Sequence, residues 1–454
     1  MGWIVFSGEN GIDAMFEGGK HRSNEALVPF KTKQKSYEDF SGVVGAFCRI
    51  MSDADTNGKV DLNTLYTNMR KQVDDCSEED FKKLFAVVKD LYFSDGSLLP
   101  INVKALNYID SNVTQRQVAE YIYSLFVDQT ELKMEFENME EEEESNVLEN
   151  LVFSSLGETN KKKEAIQESE CYLPYVKEMF DKDISFLMQN NDYFKDYIER
   201  LLAYYYMFYV TQLAVKLWRF DKGNREEIEK IYLTLNWEVV TRVRPGYEYG
   251  WKMAKDAISH MFSHAIVMEM ISHNKDGKLF DYIGLNDRML SSPEDEQAAA
   301  EIDDICERYK NWWQLDYSKC KHDTSKDGEC KTSNAVRRLF DTIDFQFING
   351  TRKSHYDGYN RKFIEFVQKN FGKWRGTLGY SLGINENDIV MFTQIILGQN
   401  QGKIRLSKLY EEFEKRGLFF DRESKRKISD LYEKMNLLEK RSDSGDAQYV
   451  KSVL

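Results

Sequence analysis

The chain has 454 residues, with 62 Lys and Arg against 76 Asp and Glu, for a formal charge of −14. Its 42% hydrophobic content is enough for packed cores, which excludes a wholly disordered chain, and its length suggests about three domains. No cationic-then-apolar leader follows Met1 and no long uncharged apolar run occurs, so secretion and a membrane span are not expected.

Only five prolines punctuate the chain. Proline breaks helix interiors, so a mainly α fold is expected. The six cysteines are too sparse for a disulfide scaffold and fit free thiols in a cytoplasmic protein. The net charge hides an asymmetry: residues 331–454 sum to +7, leaving −21 on residues 1–330. Such a split suggests a nucleic-acid contact at the basic end, or an electrostatic match between two domains.

Residues 1–136 read as an N-terminal helical domain. Within it, Phe81, Leu84, Phe85, Val88 and Leu91 recur at helical spacing over 78–93, and 114–126 repeats the pattern. Residues 137–170 begin with an acidic run at 140–144 and end in a Lys-, Glu- and Ser-rich stretch, as a linker would, with 147–156 a short docked piece. Residues 171–330 form a central helical domain. Its stretch 193–218 includes Tyr204, Tyr205, Tyr206, Phe208 and Tyr209, and is expected to be a core helix buried all round. Buried tyrosine hydroxyls need partners, so some of them should line a polar seam. Residues 252–270 read as one further helix, after a turn at Pro245-Gly246.

Residues 331–384 are a basic segment interleaving cations with aromatics: Arg337, Arg338, Phe340, Arg352, Lys353, His355, Tyr356, Tyr359, Arg361, Phe363 and Trp374. Nucleic-acid grooves combine such residues, but Phe363, Phe366 and Phe371 also fit the core face of an ordinary helix.

Residues 385–454 have the element order of a winged helix-turn-helix domain. A helix over 387–397 and a short strand over 403–406 precede Ser407, read as the cap of a helix over 408–416. Gly417 should end that helix in the left-handed conformation. Leu418, Phe419 and Phe420 make an apolar turn, and Asp421 caps a helix over 422–435. Strands over 437–442 and 447–453 flank a hairpin turn at Asp443-Ser444-Gly445-Asp446. In the last helix Ser424, Ile428, Leu431 and Met435 share a face that should be buried, with Tyr432 beside it. The opposite face carries Arg422, Lys425, Arg426 and Ser429. Lys440 and Arg441 lie on the wing. With Arg352 and Lys353, these cations are the expected nucleic-acid contacts, since phosphates are bound by long cationic donors. Many winged helices serve only as protein–protein modules, and Asp421, Glu423, Asp430 and Glu433 dilute the charge here.

The chemistry candidates are weak. Asp53, Asp55, Asn57, Gly58 and Asp61 follow a calcium-loop pattern, but Thr64 stands where the closing glutamate belongs, so a capped turn is expected. His260 and His264 have a metal-ligand spacing without the metalloprotease glutamate. Cys306, Cys320, His322 and Cys330 lack zinc-knuckle spacing. Asp110, Glu131 and Lys133 have the loose spacing of a metal-dependent nuclease core, in sequence that reads as helix. The glycines over 376–383 lack a phosphate-loop ending. No catalytic residue, metal or cofactor is expected.

Arg405-Leu-Ser-Lys-Leu-Tyr-Glu-Glu-Phe-Glu-Lys-Arg-Gly417, then Leu437-Leu-Glu-Lys-Arg-Ser-Asp-Ser-Gly-Asp-Ala-Gln-Tyr-Val-Lys451, resembles the end of the DptG (DndG) family of bacterial phosphorothioation-dependent restriction proteins. Arg375-Gly-Thr-Leu-Gly-Tyr380 resembles a segment just upstream in that family, so the likeness covers about the last 80 residues. The resemblance implies a role in bacterial defence beside a DptF-like ATPase and a DptH-like helicase or translocase, against DNA lacking a backbone sulfur. It supplies no catalytic motif. The expectation is a non-catalytic subunit that contacts double-stranded DNA or acts as a scaffold; the alternative is a winged-helix transcription regulator.

Overall fold

Apolar residues at helical spacing and scarce proline give a mainly helical protein, in which the β-structure of the described residues is confined to short strands. The computed structural model describes residues 35–452, except 55, 57, 74, 128–130, 143–145, 157–165, 167–168, 273–279 and 441–447.

The N-terminal third contributes α1 (Ser41–Met51), α2 (Leu62–Gln72), α3 (Glu78–Tyr92), the hairpin β1 (Phe93–Ser94) and β2 (Ser97–Leu98), α4 (Val103–Leu106), α5 (Val113–Phe126), α6 (Glu131–Glu142) and α7 (Val147–Leu156). A small core gathers Leu65, Met69, Phe81, Val88 and Val152 from α2, α3 and α7. The docked piece at 147–156 is therefore helical and packs here. The expected linker, however, starts inside α6: Met139 is buried, and Glu140 accepts hydrogen bonds from Ser52 and Asn107. An acidic run stays helical where its first apolar and carboxylate members find partners on neighbouring helices.

The larger core runs from Tyr37 to Val450 and surrounds α9 (Asn191–Trp218), which lies against α8 (Pro174–Met188). The tyrosines of α9 form the anticipated polar seam. Tyr204 donates to the Arg416 carbonyl (2.6 Å), Tyr205 donates to Asp183 (2.7 Å), and Tyr209 accepts the Tyr172 N–H (3.0 Å). Beyond it come β3 (Tyr232–Leu235), α10 (Pro245–Glu248), α11 (Trp251–Ser259), α12 (Met261–Ser272), α13 (Tyr282–Met289), α14 (Asp295–Trp313), α15 (Lys331–Asn349) and α16 (Lys353–Phe371). The single helix expected over 252–270 is two, broken at His260, whose ring stacks on Trp218 (4.4 Å) and bonds Asp344 (3.0 Å).

The remaining elements are β4 (Gly372–Trp374), β5 (Tyr380–Ile384), α17 (Glu386–Gln399), β6 (Lys403–Arg405), α18 (Leu406–Lys415), β7 (Phe419–Phe420), α19 (Arg422–Lys434), β8 (Leu438–Lys440) and β9 (Gln448–Lys451). β6, β9 and β8 make an antiparallel sheet in that order. Gly417 ends α18 at φ +78°, as expected, whereas Ser407 lies inside that helix and does not cap it. Of the apolar turn expected at 418–420, the last two residues are a strand. Phe419 and Phe420 pair parallel with Tyr232 and Leu233, in a sheet ordered β4-β5-β3-β7. Its partner strand is remote in sequence, so local signals could not reveal it. Among the described residues, no helix is long and apolar enough to cross a membrane.

Candidate nucleic-acid interface

The start of α19 is fixed from below. Asp421 follows β7, and its carboxylate accepts the Ser424 N–H at 3.0 Å, satisfying one free donor of the first turn. The same carboxylate takes a forked pair from Arg244, Nε to Oδ2 at 2.9 Å and Nη2 to Oδ1 at 2.5 Å. Arg244 also donates to Glu238 (3.1 Å) and to Ser424 Oγ (2.9 Å), while Ser424 Oγ donates to Glu238 (2.8 Å). Arg375 enters from the β4–β5 hairpin and donates to the carbonyls of Glu238 (2.6 Å) and Leu235 (2.7 Å) and to Ser381 Oγ (3.0 Å).

The side chains of Arg244, Glu238 and Asp421 are 11, 2 and 7% exposed, so this cluster holds elements together and is not offered to phosphate. Burial raises the Asp421 carboxyl, but the Arg244 and Ser424 bonds outweigh it and hold the group below its ordinary value. Burial lowers Arg375, whose bonds go mainly to neutral acceptors.

Above this anchor the expected cations divide. Arg422 and Arg426 are exposed; Arg426 pairs with Glu423 at 3.0 Å in solvent, a contact worth little, and Arg422 has no ion-pair partner among the described residues. Lys425 is turned toward α18, 2.8 Å from Glu414 and over the Tyr410 ring, and Ser429 lies 3.3 Å from the Tyr410 hydroxyl. Ser424, Ile428, Leu431 and Tyr432 are buried as anticipated, but Met435 is 38% exposed because the helix ends at Lys434. The Lys440 backbone pairs with Gln448 in the β8–β9 ladder, and Arg441 lies outside the described residues. Arg352 lies over Trp313 (4.5 Å) and Lys353 pairs with Asp357 (2.8 Å). Both sit at the far end of α16 from β4, about 28 Å away for a 19-residue helix, so they do not join the α19 face.

The aromatics interleaved with cations over 331–375 are mostly core. Phe340, Tyr356, Tyr359 and Phe363 are buried, which removes them as stacking platforms. Arg337 pairs with Asp221, and Arg338 with Asp303. Trp374 is the exception, 61% exposed. Sequence reasoning missed Arg242, Arg244 and Glu238; the only signal in the sequence was a run of three Val and two Arg over 239–244, with no periodicity to place it.

The chemistry candidates are engaged elsewhere. Asp61 caps α2 and Asp53 pairs with Lys133 at 2.6 Å, while Asp55 and Asn57 lie outside the described residues. Asp110 pairs with Lys59 (3.7 Å) and Glu131 opens α6, so no pair of strands brings them together. His264 is buried against the Tyr282 hydroxyl (2.8 Å). Cys306 meets Thr342, Cys320 the Asp341 carbonyl, and Cys330 Asp295, while His322 sits between Asp341 (2.7 Å) and Asp327 (2.8 Å). Among the described residues, no three His, Cys, Asp or Glu side chains converge to hold a metal. In comparisons with known proteins, no family model matches the chain and no curated protein matches it significantly.

Proposed function

We propose that the chain is a non-catalytic, DNA-contacting or scaffolding subunit of a bacterial phosphorothioation-dependent restriction complex, with residues 385–454 acting as a winged helix-turn-helix domain. The observation that carries the DNA contact is the pair of exposed arginines, Arg422 and Arg426, on a helix whose first turn is tied to the body by the buried Arg244–Asp421 fork. A rigid helix N-terminus with long cationic donors suits phosphate and base-edge contact. The antiparallel β8–β9 pair that follows α19, joined at its edge by β6 from before α18, suits the wing of such a domain. The restriction setting rests on the resemblance at the C-terminus, which also brings in the DptF-like ATPase and DptH-like helicase or translocase as partners.

The test is binding of the full chain to duplex DNA across a salt series, beside an Arg422→Ala/Arg426→Ala variant. Two lost phosphate contacts should flatten the log–log salt slope by about 1.8. Matched duplexes with and without backbone sulfur ask whether the modification is sensed here. Absence of duplex binding by the unaltered chain removes the DNA-contact reading and leaves a scaffold.

A further inference from the structure

Most cations of the basic C-terminal quarter are neutralised within the chain: Lys362 by Glu365, Lys403 by Glu439, Lys408 by Glu411 and Lys415 by Glu412. Lys369, Arg405, Lys434 and Lys451 are also exposed without an ion pair among the described residues, but Lys373 and Arg422 of this quarter, with Arg242 from the middle of the chain, share that state next to one small sheet. Lys373 is on β4, Arg242 is in the loop after β3, and Arg422 follows β7. Three strand spacings separate β4 from β7, about 14 Å, close to the width of a DNA major groove.

The same sheet presents an unusual aromatic pair. Trp374 and Tyr380 face each other across the β4–β5 register, edge to face at 5.1 Å, and both are exposed. The hairpin between them is held rigidly, since Arg375 ties it to Leu235, Glu238 and Ser381. An exposed, pre-positioned tryptophan on a sheet edged by unneutralised cations is a composition that binds unstacked bases. A paired base inside a duplex offers no ring face to stack on.

We infer that the chain binds DNA carrying a single-stranded segment beside a duplex, with Arg422 and Arg426 on the duplex backbone and Trp374, backed by Tyr380, stacking on an unpaired base. Trp374 and Arg422 stand at diagonal corners of the sheet, because Trp374 pairs with the first residue of β5 and Asp421 follows the last residue of β7. One junction can therefore meet both. This inference rests on the DNA-contact reading and adds the class of DNA.

The experiment compares the affinity of the full chain for a blunt duplex and for the same duplex with a single-stranded tail, using the unaltered protein, Trp374→Ala and Tyr380→Ala. The unaltered chain should prefer the tailed duplex by about tenfold, the scale of one stacked base, and Trp374→Ala should bring the ratio near one. Tyr380→Ala should reduce the ratio part of the way. Equal affinity of the unaltered chain for both DNAs, with binding still weakened by Arg422→Ala/Arg426→Ala, overturns this inference and leaves the DNA-contact reading standing. A tail preference that survives Trp374→Ala overturns the assignment of the stacking residue. Binding to neither DNA overturns both.

Discussion

Asp183 and Arg416 lie 233 residues apart in sequence and side by side in the core. Arg416 Nη2 is 2.6 Å from Asp183 Oδ1, Nε is 2.8 Å from Oδ2, and the two side chains are 1 and 0% exposed. Tyr205 and Gln399 donate to the same carboxylate, so the buried charges are fully partnered. Burial alone would lower the guanidinium's proton affinity; Asp183 more than reverses it. Removing one partner leaves a stranded charge, whereas removing both removes the desolvation cost as well. Arg416→Met should therefore destabilise the chain by about 3–5 kcal/mol, and Asp183→Leu/Arg416→Met should recover most of that. Urea unfolding midpoints measure this. A double variant no better than the single one would contradict it.

Arg244 performs the corresponding task for α19. In Arg244→Met, Asp421 and Glu238 lose their shared cation and the helix start loosens. Backbone amides at 424–426 should exchange with solvent faster, by about tenfold or more, while those of α9 keep their protection. The Asp421 carboxyl is held below its ordinary value, so its contribution is present at neutral pH and lost only as pH falls through that lowered value. Uniformly faster exchange throughout the chain would mean that Arg244 supports global stability only.

Two glycines separate backbone cost from packing cost. Gly402 and Gly417 have nearly the same φ, +76° and +78°. A Cβ on Gly402 meets open space, but one on Gly417 would lie 2.2 Å from the Phe208 ring in α9. Gly402→Ala should lose about 1–2 kcal/mol from the left-handed backbone alone. Gly417→Ala should lose about 1–3 kcal/mol more, through the crowded ring. Equal losses in thermal melts would show that Phe208 moves aside freely.

His264 should set an acid limb of stability. Burial, then the neighbouring His260, pushes it down to about 3. The unfolded chain therefore binds a proton below about pH 6.5 that the folded chain refuses, and stability falls toward acid by up to about 1.4 kcal/mol per pH unit. His322 acts with the opposite sign. Burial lowers it, but its bonds to Asp341 and Asp327 raise it overall, so its contribution is present below its ordinary value and fades as pH rises through the raised one. Urea midpoints between about pH 4.5 and 6.5 should slope in the unaltered chain and flatten in His264→Asn. An unchanged slope in the variant would assign that limb to other groups.

Local signals carried much of the C-terminal unit. The positive φ of Gly417, the Asp421 cap, and the burial of Ser424, Ile428, Leu431 and Tyr432 all follow from residue type and helical spacing. What could not be read locally was long-range partnership. Lys425 looked like a free cation because Glu414 and Tyr410 belong to a different helix. The aromatics of 331–375 looked equally suited to stacking and to packing, and only the neighbouring helices decide that Phe340 and Phe363 are inside while Trp374 is outside. The sheet beneath α19 was invisible for the same reason: β7 has two residues, and its partner strand belongs to the middle of the chain.

That pairing has a consequence during synthesis. Asp421 is made 177 residues after Arg244, which at about 5–20 residues per second is a wait of roughly 10–35 s. Until Phe419, Phe420 and Asp421 leave the ribosome, β3 has an open edge and Arg244 has only Glu238 of its two carboxylate partners. The segment carrying β7 therefore closes a fold begun well before it. A chain that stops short of Phe419 should present that edge to other chains and to chaperones, and should aggregate instead of accumulating as a stable shortened protein.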